Sequence, residues 1–480
     1  MRVLRHLSWA VPLLLCGSWL FLDIREPWVG SYDANGALFS TAARNTLRYG
    51  LAATRGGQVV NAGRLTPERF RFYAHHPPGI SLTIAASFAA FGVHEWSARL
   101  VPIAFTLGAA ALLYFVATEF AGAWAGCFTT MVFLVQPMVA FYGRMPDHEA
   151  PAAFFAMALV ACYLRWQRAE RKRWLTAMCA AALVGLWYGW MVFVMPWLLL
   201  GYHALAKGRG WKWMLLPAAA ACVGFTSVVG HIALIEGGLG ELWGALGHRL
   251  GAQAGDRGAQ GAFGLGAFVV RQATYWWTCF SAVALAACVA WALGPGRRTR
   301  RETLLVAVLA VWGLFPVVAF KQGAFVHIYY QFHLALPLAL AAGLALERLR
   351  QRPAAGRRLT AVALLAIIIV VLEGSAKLAP IRAAKIPDYT RQFRVTWWLR
   401  GQTAPDERVL MVWRRRSSFR QLTYYADRDV TVVPDATSAA RLWEQRRFDK
   451  AIEVVEDDAG VAAMRLMPRP PWPPPQPHRQ

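Results

Sequence analysis

"SYDANGALFSTAARNTLRYG", residues 31–50, follows the first apolar segment of the chain and carries a single acid, Asp33. Over residues 36–49, Ala37, Phe39, Ala42, Ala43 and Leu47 alternate with Arg44, Asn45 and Arg48. The stretch is too short and too charged to cross a bilayer. Its amphipathic pattern suits a helix lying in the membrane interface. A carboxylate at the mouth of a first helix, followed by a surface helix, therefore sets the question for the rest of the chain.

Outward from that stretch the sequence is that of a polytopic α-helical membrane protein. Of its 480 residues 57% are hydrophobic, and the mean hydropathy is +0.34. Apolar runs of about 20 residues recur, roughly at 7–24, 97–118, 122–142, 149–166, 174–189, 190–206, 213–235, 265–293, 302–320, 326–346 and 359–379. They are not the short alternating segments of a β-barrel. The net charge of +24 falls in short loops, which fits the positive-inside rule and not nucleic-acid binding. With eleven spans and the N-terminus cytoplasmic, the loops holding Arg165–Arg173, Lys207–Lys212, Arg297–Arg301 and Arg348–Arg358 all fall inside. That parity needs a turn near Tyr188–Trp190 and a second interfacial helix, "HHPPGISLTIAASFAAFG" (75–92), with prolines at its start. Residues 2–22 lack a small-x-small cleavage site and read as an uncleaved helix. The seven cysteines show no disulfide or zinc spacing.

The expected organisation is a transmembrane domain over 1–379, with residues 25–96 as its first outer loop. A small α/β domain follows over 380–467 on the outer, periplasmic face of a bacterial-type inner membrane, then a proline-rich tail over 468–480. "RVLMVW" (408–413), "VTVVP" (430–434) and "KAIEVVE" (450–456) predict strands, and "TSAARLWEQRR" (437–447) a helix. Glycine-rich residues 251–264 predict a loop.

On the same outer side "YGRMPDHEAP" (142–151) puts Arg144, Asp147, His148 and Glu149 in one tight turn. Asp33 alone also reads as a helix cap or a snorkelling acid, and the turn as plain loop polarity. Two acidic clusters on one face point instead to a site. "KQGAFVHIYYQFHLALP" (321–337) adds Lys321, His327, Tyr329 and Tyr330 at the outer end of the ninth span, where an aromatic interface belt is the alternative.

The order Asp33, "AARNTLRYG", "HPP", "FGVHEWSARL", "FYGRMPDHE" resembles the GT-C membrane glycosyltransferases, in particular glycosyltransferase family 39. That family includes protein O-mannosyltransferases and lipid A aminoarabinose transferases. The resemblance is good over residues 1–170, looser to 380, and absent from the C-terminal domain. It implies juxtamembrane helices in the first outer loop and a sugar donor carried on a polyprenyl phosphate. It makes Asp33 the catalytic acid or base, His76 a neighbour of the lipid phosphate, and Asp147 or Glu149 the second acid, with Arg144 to Glu149 in the family's R-x-x-x-x-E form. Ala34 follows Asp33 where protein mannosyltransferases carry a second acid, which argues against that activity.

The chemistry needs these residue types. An acceptor hydroxyl attacking an anomeric carbon must lose its proton, and a carboxylate within reach takes it; Asp33 is the candidate. The leaving phosphate needs cations or donors, for which Arg44, Arg71, His75 and His76 are candidates, alongside Arg144, His148, Lys321, His327 and Tyr330 at the cavity. A single displacement inverts the anomeric centre. A divalent metal such as Mg or Mn on Asp33, Asp147 or Glu149 stays open, since no strict ligand spacing is present. The expected partners are a polyprenyl-phosphate sugar, a lipid, glycan or protein acceptor, and membrane lipids. A lipid-linked saccharide polymerase or ligase is the alternative if residues 236–264, with Arg249, Asp256 and Arg257, hold the essential groups. A transporter or flippase would show internal repeats, and none is apparent.

Overall fold

The computed structural model describes residues 9–30, 32–208, 210–250, 263–294, 298–351, 356–385, 389–414, 419–445, 448–456 and 462–468. The tail after 468 and the loop residues 251–262, with Asp256 and Arg257, lie outside them.

Helices occupy every segment the apolar runs mark: α1 (Ala10–Gly17), α2 (Ala34–Thr54), α3 (Gly79–Phe91), α4 (Glu95–Ala121), α5 (Ala123–Val135), α6 (Pro137–Tyr142), α7 (Glu149–Ala169), α8 (Lys172–Leu186), α9 (Val194–Leu205), α10 (Leu215–Glu236), α11 (Gly240–Leu250), α12 (Leu265–Cys279), α13 (Ala282–Leu293), α14 (Arg300–Ala319), α15 (Lys321–Val326), α16 (Ala335–Gln351) and α17 (Gly356–Ala383). By length and composition five helical stretches can cross a membrane: 95–121, 211–236, 300–319, 328–351 and 358–383. A sixth is the pair α12 and α13, bent by 109°. The loop charges count eleven, and several of the shorter helices have a local cause. Pro137 forces Gln136 into an extended conformation, splitting the run 122–142 into α5 and α6. The run 174–206 breaks at Trp187–Gly189, where the sequence places its turn. At 13 residues, about 20 Å, α3 is too short for a ~30 Å hydrocarbon core.

The chain divides into two compact units. The first holds residues 1–24, 74–80 and 99–383. Its helices pack closely: a Cβ on Gly343 of α16 would sit 2.6 Å from the backbone nitrogen of Thr129 in α5, so only glycine allows that approach. The helix breaks are satisfied by side chains. Glu373 accepts from the Ala282 N–H at 2.7 Å and from the Ser281 hydroxyl, Lys377 donates to the Phe280 carbonyl, and Gln136 accepts from the Ser281 N–H. Arg144, 7% exposed, donates to the Leu22 and Asp23 carbonyls beyond the first helix.

The second unit holds residues 25–73, 81–98 and 384–480. Its sheet has the order β2-β1-β3-β4, from β1 (Arg408–Trp413), β2 (Asp429–Val433), β3 (Lys450–Glu456) and β4 (Ala462–Met467). β1 pairs parallel with both β2 (Val409 opposite Val430) and β3 (Val409 opposite Lys450), while β4 is antiparallel to β3. β1 is buried on both faces, which is why "RVLMVW" reads as an unbroken apolar run. Val409, Met411 and Trp413 meet α18 (Tyr389–Gln402) and α19 (Phe419–Ala426), and Leu410 and Val412 meet α20 (Ala436–Gln445).

Two aspartates bind this sheet to the first loop. Asp427 takes Arg48 at 2.6 Å and Arg44 at 3.1 Å; Asp429, 5% exposed, takes Arg69 at 2.8 Å and Arg71 at 3.0 Å. Asn61 also donates to Asp429. Removing one partner of such a pair strands the others. Asp429→Ala is expected to cost about 3 kcal/mol, read as a lower thermal midpoint of the purified protein. Burial opposes ionisation of Asp427, but the Arg48 hydrogen bond and the charges of Arg44 and Arg48 outweigh it and hold its carboxyl below the ordinary value. Its stabilisation is therefore present above the unfolded carboxylate pKa and lost as pH falls through the lower folded value. Proteolytic nicking within residues 44–71 is expected to stay flat from neutral pH to about pH 4 and to rise below it.

Candidate active site

The sequence explains where the acidic turn sits. Pro151 is tolerated only in the first turn of α7, so the helix starts at Glu149, and an acid there favours the helix dipole. Asp147 Oδ1 accepts from the His148 N–H at 2.8 Å. His148 Nδ1 lies 2.8 Å from the Tyr188 carbonyl, which can only accept, so the His148 proton is on Nδ1. Burial pushes the His148 pKa down against the opposing charge of Asp147, favouring the neutral ring.

"HHPP" reaches this turn through the break after α8. The Gly79 N–H donates to the Trp187 carbonyl at 2.7 Å, and a Cβ on Gly79 would lie 2.4 Å from that oxygen. Trp190 Nε1 donates to the His75 carbonyl. His76 then stacks on His148, with ring centroids 4.3 Å apart and planes 10° apart.

The helix α11 closes on both histidines. Arg249 Nη2 lies 2.7 Å from His76 Nε2; an arginine can only donate, so the His76 proton is on Nδ1. His75 Nδ1 faces Glu241 Oε1 at 3.2 Å. Burial and the nearby Glu236 hold the Glu241 carboxyl above its ordinary value, against the hydrogen bond from Ala74. Arg249 is within electrostatic reach of His148 and Glu149, and the Tyr330 hydroxyl within reach of Arg249, Glu149 and Asp147.

The first unit thus brings together His75, His76, Asp147, His148, Glu149 and Tyr330. His327 stacks on Tyr329, which meets Tyr142 at 6.3 Å just before the acidic turn. Lys321 opens α15 with its side chain exposed. Arg144 is occupied by the Leu22 and Asp23 carbonyls. The other candidates lie in the second unit. Asp33 immediately precedes α2 but makes no cap bond; its Oδ2 accepts from the Gly30 N–H at 2.8 Å. Arg44 and Arg71 bind Asp427 and Asp429. Among the described residues no group of three or more His, Cys, Asp or Glu is spaced to hold a metal ion.

The sequence weighed Arg249 only for the alternative reading and did not single out Glu241. A signal was present: in "GELWGALGHRL" Glu241 and Arg249 fall on one side of the helix, while Trp243 and Leu250, seven apart, share another and are exposed.

Residues 75–234 match the family model described as dolichyl-phosphate-mannose-protein mannosyltransferase. No curated protein matches the chain in sequence. Among solved structures the chain is similar to ArnT from Cupriavidus metallidurans bound to undecaprenyl phosphate, with a TM-score of 0.65 and 16% identity over 94% of this chain and 93% of that one. It is similar to AglB from Archaeoglobus fulgidus in complex with an inhibitory peptide and a dolichol-phosphate, with a TM-score of 0.61 and 12% identity over 94% and 70% of the two chains. Mycobacterial arabinofuranosyltransferase AftD shows a TM-score of 0.50 and 15% identity over 96% of this chain and 36% of its own. The motif order along residues 1–170 and these structural matches agree: the chain has the fold of the GT-C membrane glycosyltransferases.

Proposed function

We propose that the protein transfers a sugar from a polyprenyl-phosphate donor to an acceptor hydroxyl at the outer face of the membrane, with inversion. The observation that carries this reading is Arg249 seated on His76, stacked on His148 beside Asp147 and Glu149. Two cation-capable side chains next to two carboxyl groups suit a lipid phosphate joined to a sugar. Arginine supplies a fixed fork of donors for phosphate oxygens. ArnT and AglB, which share the fold, were solved with undecaprenyl phosphate and dolichol-phosphate.

In the proposed reaction the acceptor oxygen bonds to the anomeric carbon as the carbon–oxygen bond to phosphate breaks. The polyprenyl phosphate leaves as an anion held by Arg249 and the His76 imidazole. The acceptor proton passes to a carboxylate, and Asp33 is the candidate that the sequence offers for it. Asp147 and Glu149 orient the sugar hydroxyls. Among the described residues no group of three or more His, Cys, Asp or Glu is spaced for a metal ion, and no step here runs through one.

Two variants separate the roles. Asp33→Asn is expected to lower kcat by at least ~100-fold with donor binding intact. Full transfer by this variant from a synthetic polyprenyl-phosphate sugar would remove Asp33 as the base. Arg249→Gln is expected to raise the KM for the donor by roughly tenfold or more, the loss of a charge-assisted hydrogen bond, with a smaller change in kcat. An unchanged donor KM would remove Arg249 from the phosphate site.

One observation favours the polymerase or ligase alternative: Arg249 comes from the segment 236–264 that this reading requires. The product decides, since a polymerase extends or joins lipid-linked chains while a transferase adds one sugar.

A further inference from the structure

The helix α18 has two unlike faces. Gln392, Val395, Thr396 and Leu399 are buried, Val395 and Leu399 fully, in the core with Val409 and Met411. At roughly 100° per residue, Tyr389, Arg394, Trp397 and Arg400 fall together on the opposite arc. Trp397 is 64% exposed and Tyr389 41%. Arg394 and Arg400 flank the tryptophan by three residues on either side, and the Arg400 guanidinium lies 5.4 Å from its ring centroid. Among the described residues neither arginine forms an ion pair with a carboxylate.

Three properties of this arc define its occupant. Tryptophan and tyrosine present an apolar body and a polar tip, the combination enriched at the boundary of water and hydrocarbon. Arginine stems run along apolar surface while their heads seek anions. The chain enters α18 six residues after a stretch, 358–383, that is long and apolar enough to cross a membrane. We propose that this arc docks the C-terminal sheet on an anionic lipid headgroup layer, with Trp397 inserted among the headgroups and Arg394 and Arg400 bound to lipid phosphates. The proposal is independent of the transfer reaction.

Hydrogen exchange on the full-length protein in nanodiscs tests it. Discs of phosphatidylcholine alone are compared with discs containing phosphatidylglycerol. Amides of residues 389–402 are expected to exchange more slowly in the anionic discs, by roughly fivefold for each arginine engaged. The double variant Arg394→Glu, Arg400→Glu should abolish the difference, while β1 amides, which report the folded sheet, stay unchanged. Equal exchange of residues 389–402 in the two discs overturns the proposal. So does protection in phosphatidylcholine discs by a soluble phosphorylated oligosaccharide with no effect of lipid charge, which would assign the arc to a glycan.

Discussion

Backbone groups released by a broken helix must find partners within the protein when the surroundings are apolar. The first unit depends on meeting this demand repeatedly. Gln136 joins two breaks at once: its amide donates to the Val132 carbonyl, where Pro137 interrupts one helix, and accepts from the Ser281 N–H, where the bent pair turns. Glu373, Lys377 and Arg99 do the same work at other ends, Arg99 by donating to the Ile24 carbonyl. These polar side chains among apolar helices are thus splints for interrupted backbone. The acidic turn is placed by the same logic, since Arg144 binds the carbonyls that follow the first helix and Pro151 fixes where α7 starts.

This division of labour separates residues of similar type. Arg144 and Arg249 are both arginines near the acidic turn. Arg144 spends its donors on two backbone carbonyls, whereas Arg249 reaches an imidazole that can share it with an incoming anion. In the second unit Arg44, Arg48, Arg69 and Arg71 face Asp427 and Asp429. Their charges hold the first loop on the sheet.

The fold class was legible because long apolar runs and basic loops follow from the bilayer itself. The strand at 408–413 was legible because apolar residues run unbroken from Val409 to Trp413, and that at 450–456 because Ile452, Val454 and Val455 supply β-branched character on either side of Glu453. The break at Gln136 was hidden by the apolar residues around it, although Pro137 marks it. Strand β4, "AAMRLM", was missed because it pairs at an edge and carries little β-branched character. For the site, "HHPP" and "RMPDHE" were readable as local motifs. The Arg249 contact joins positions 173 apart, and the clasp between Arg71 and Asp429 joins positions 358 apart. Local pattern gives no hint of either pairing.

That long separation has a consequence for how the protein is made. Arg69 and Arg71 leave the ribosome early, while the aspartate they grip is encoded near the other end of the chain. The second unit is built from three stretches of sequence, two of them early and one late. Domains that fold as continuous pieces can complete during translation, but this one cannot. Its first loop must wait through the synthesis of the intervening helices with its cationic side chains uncommitted, and it reaches its final packing only when the last strands arrive.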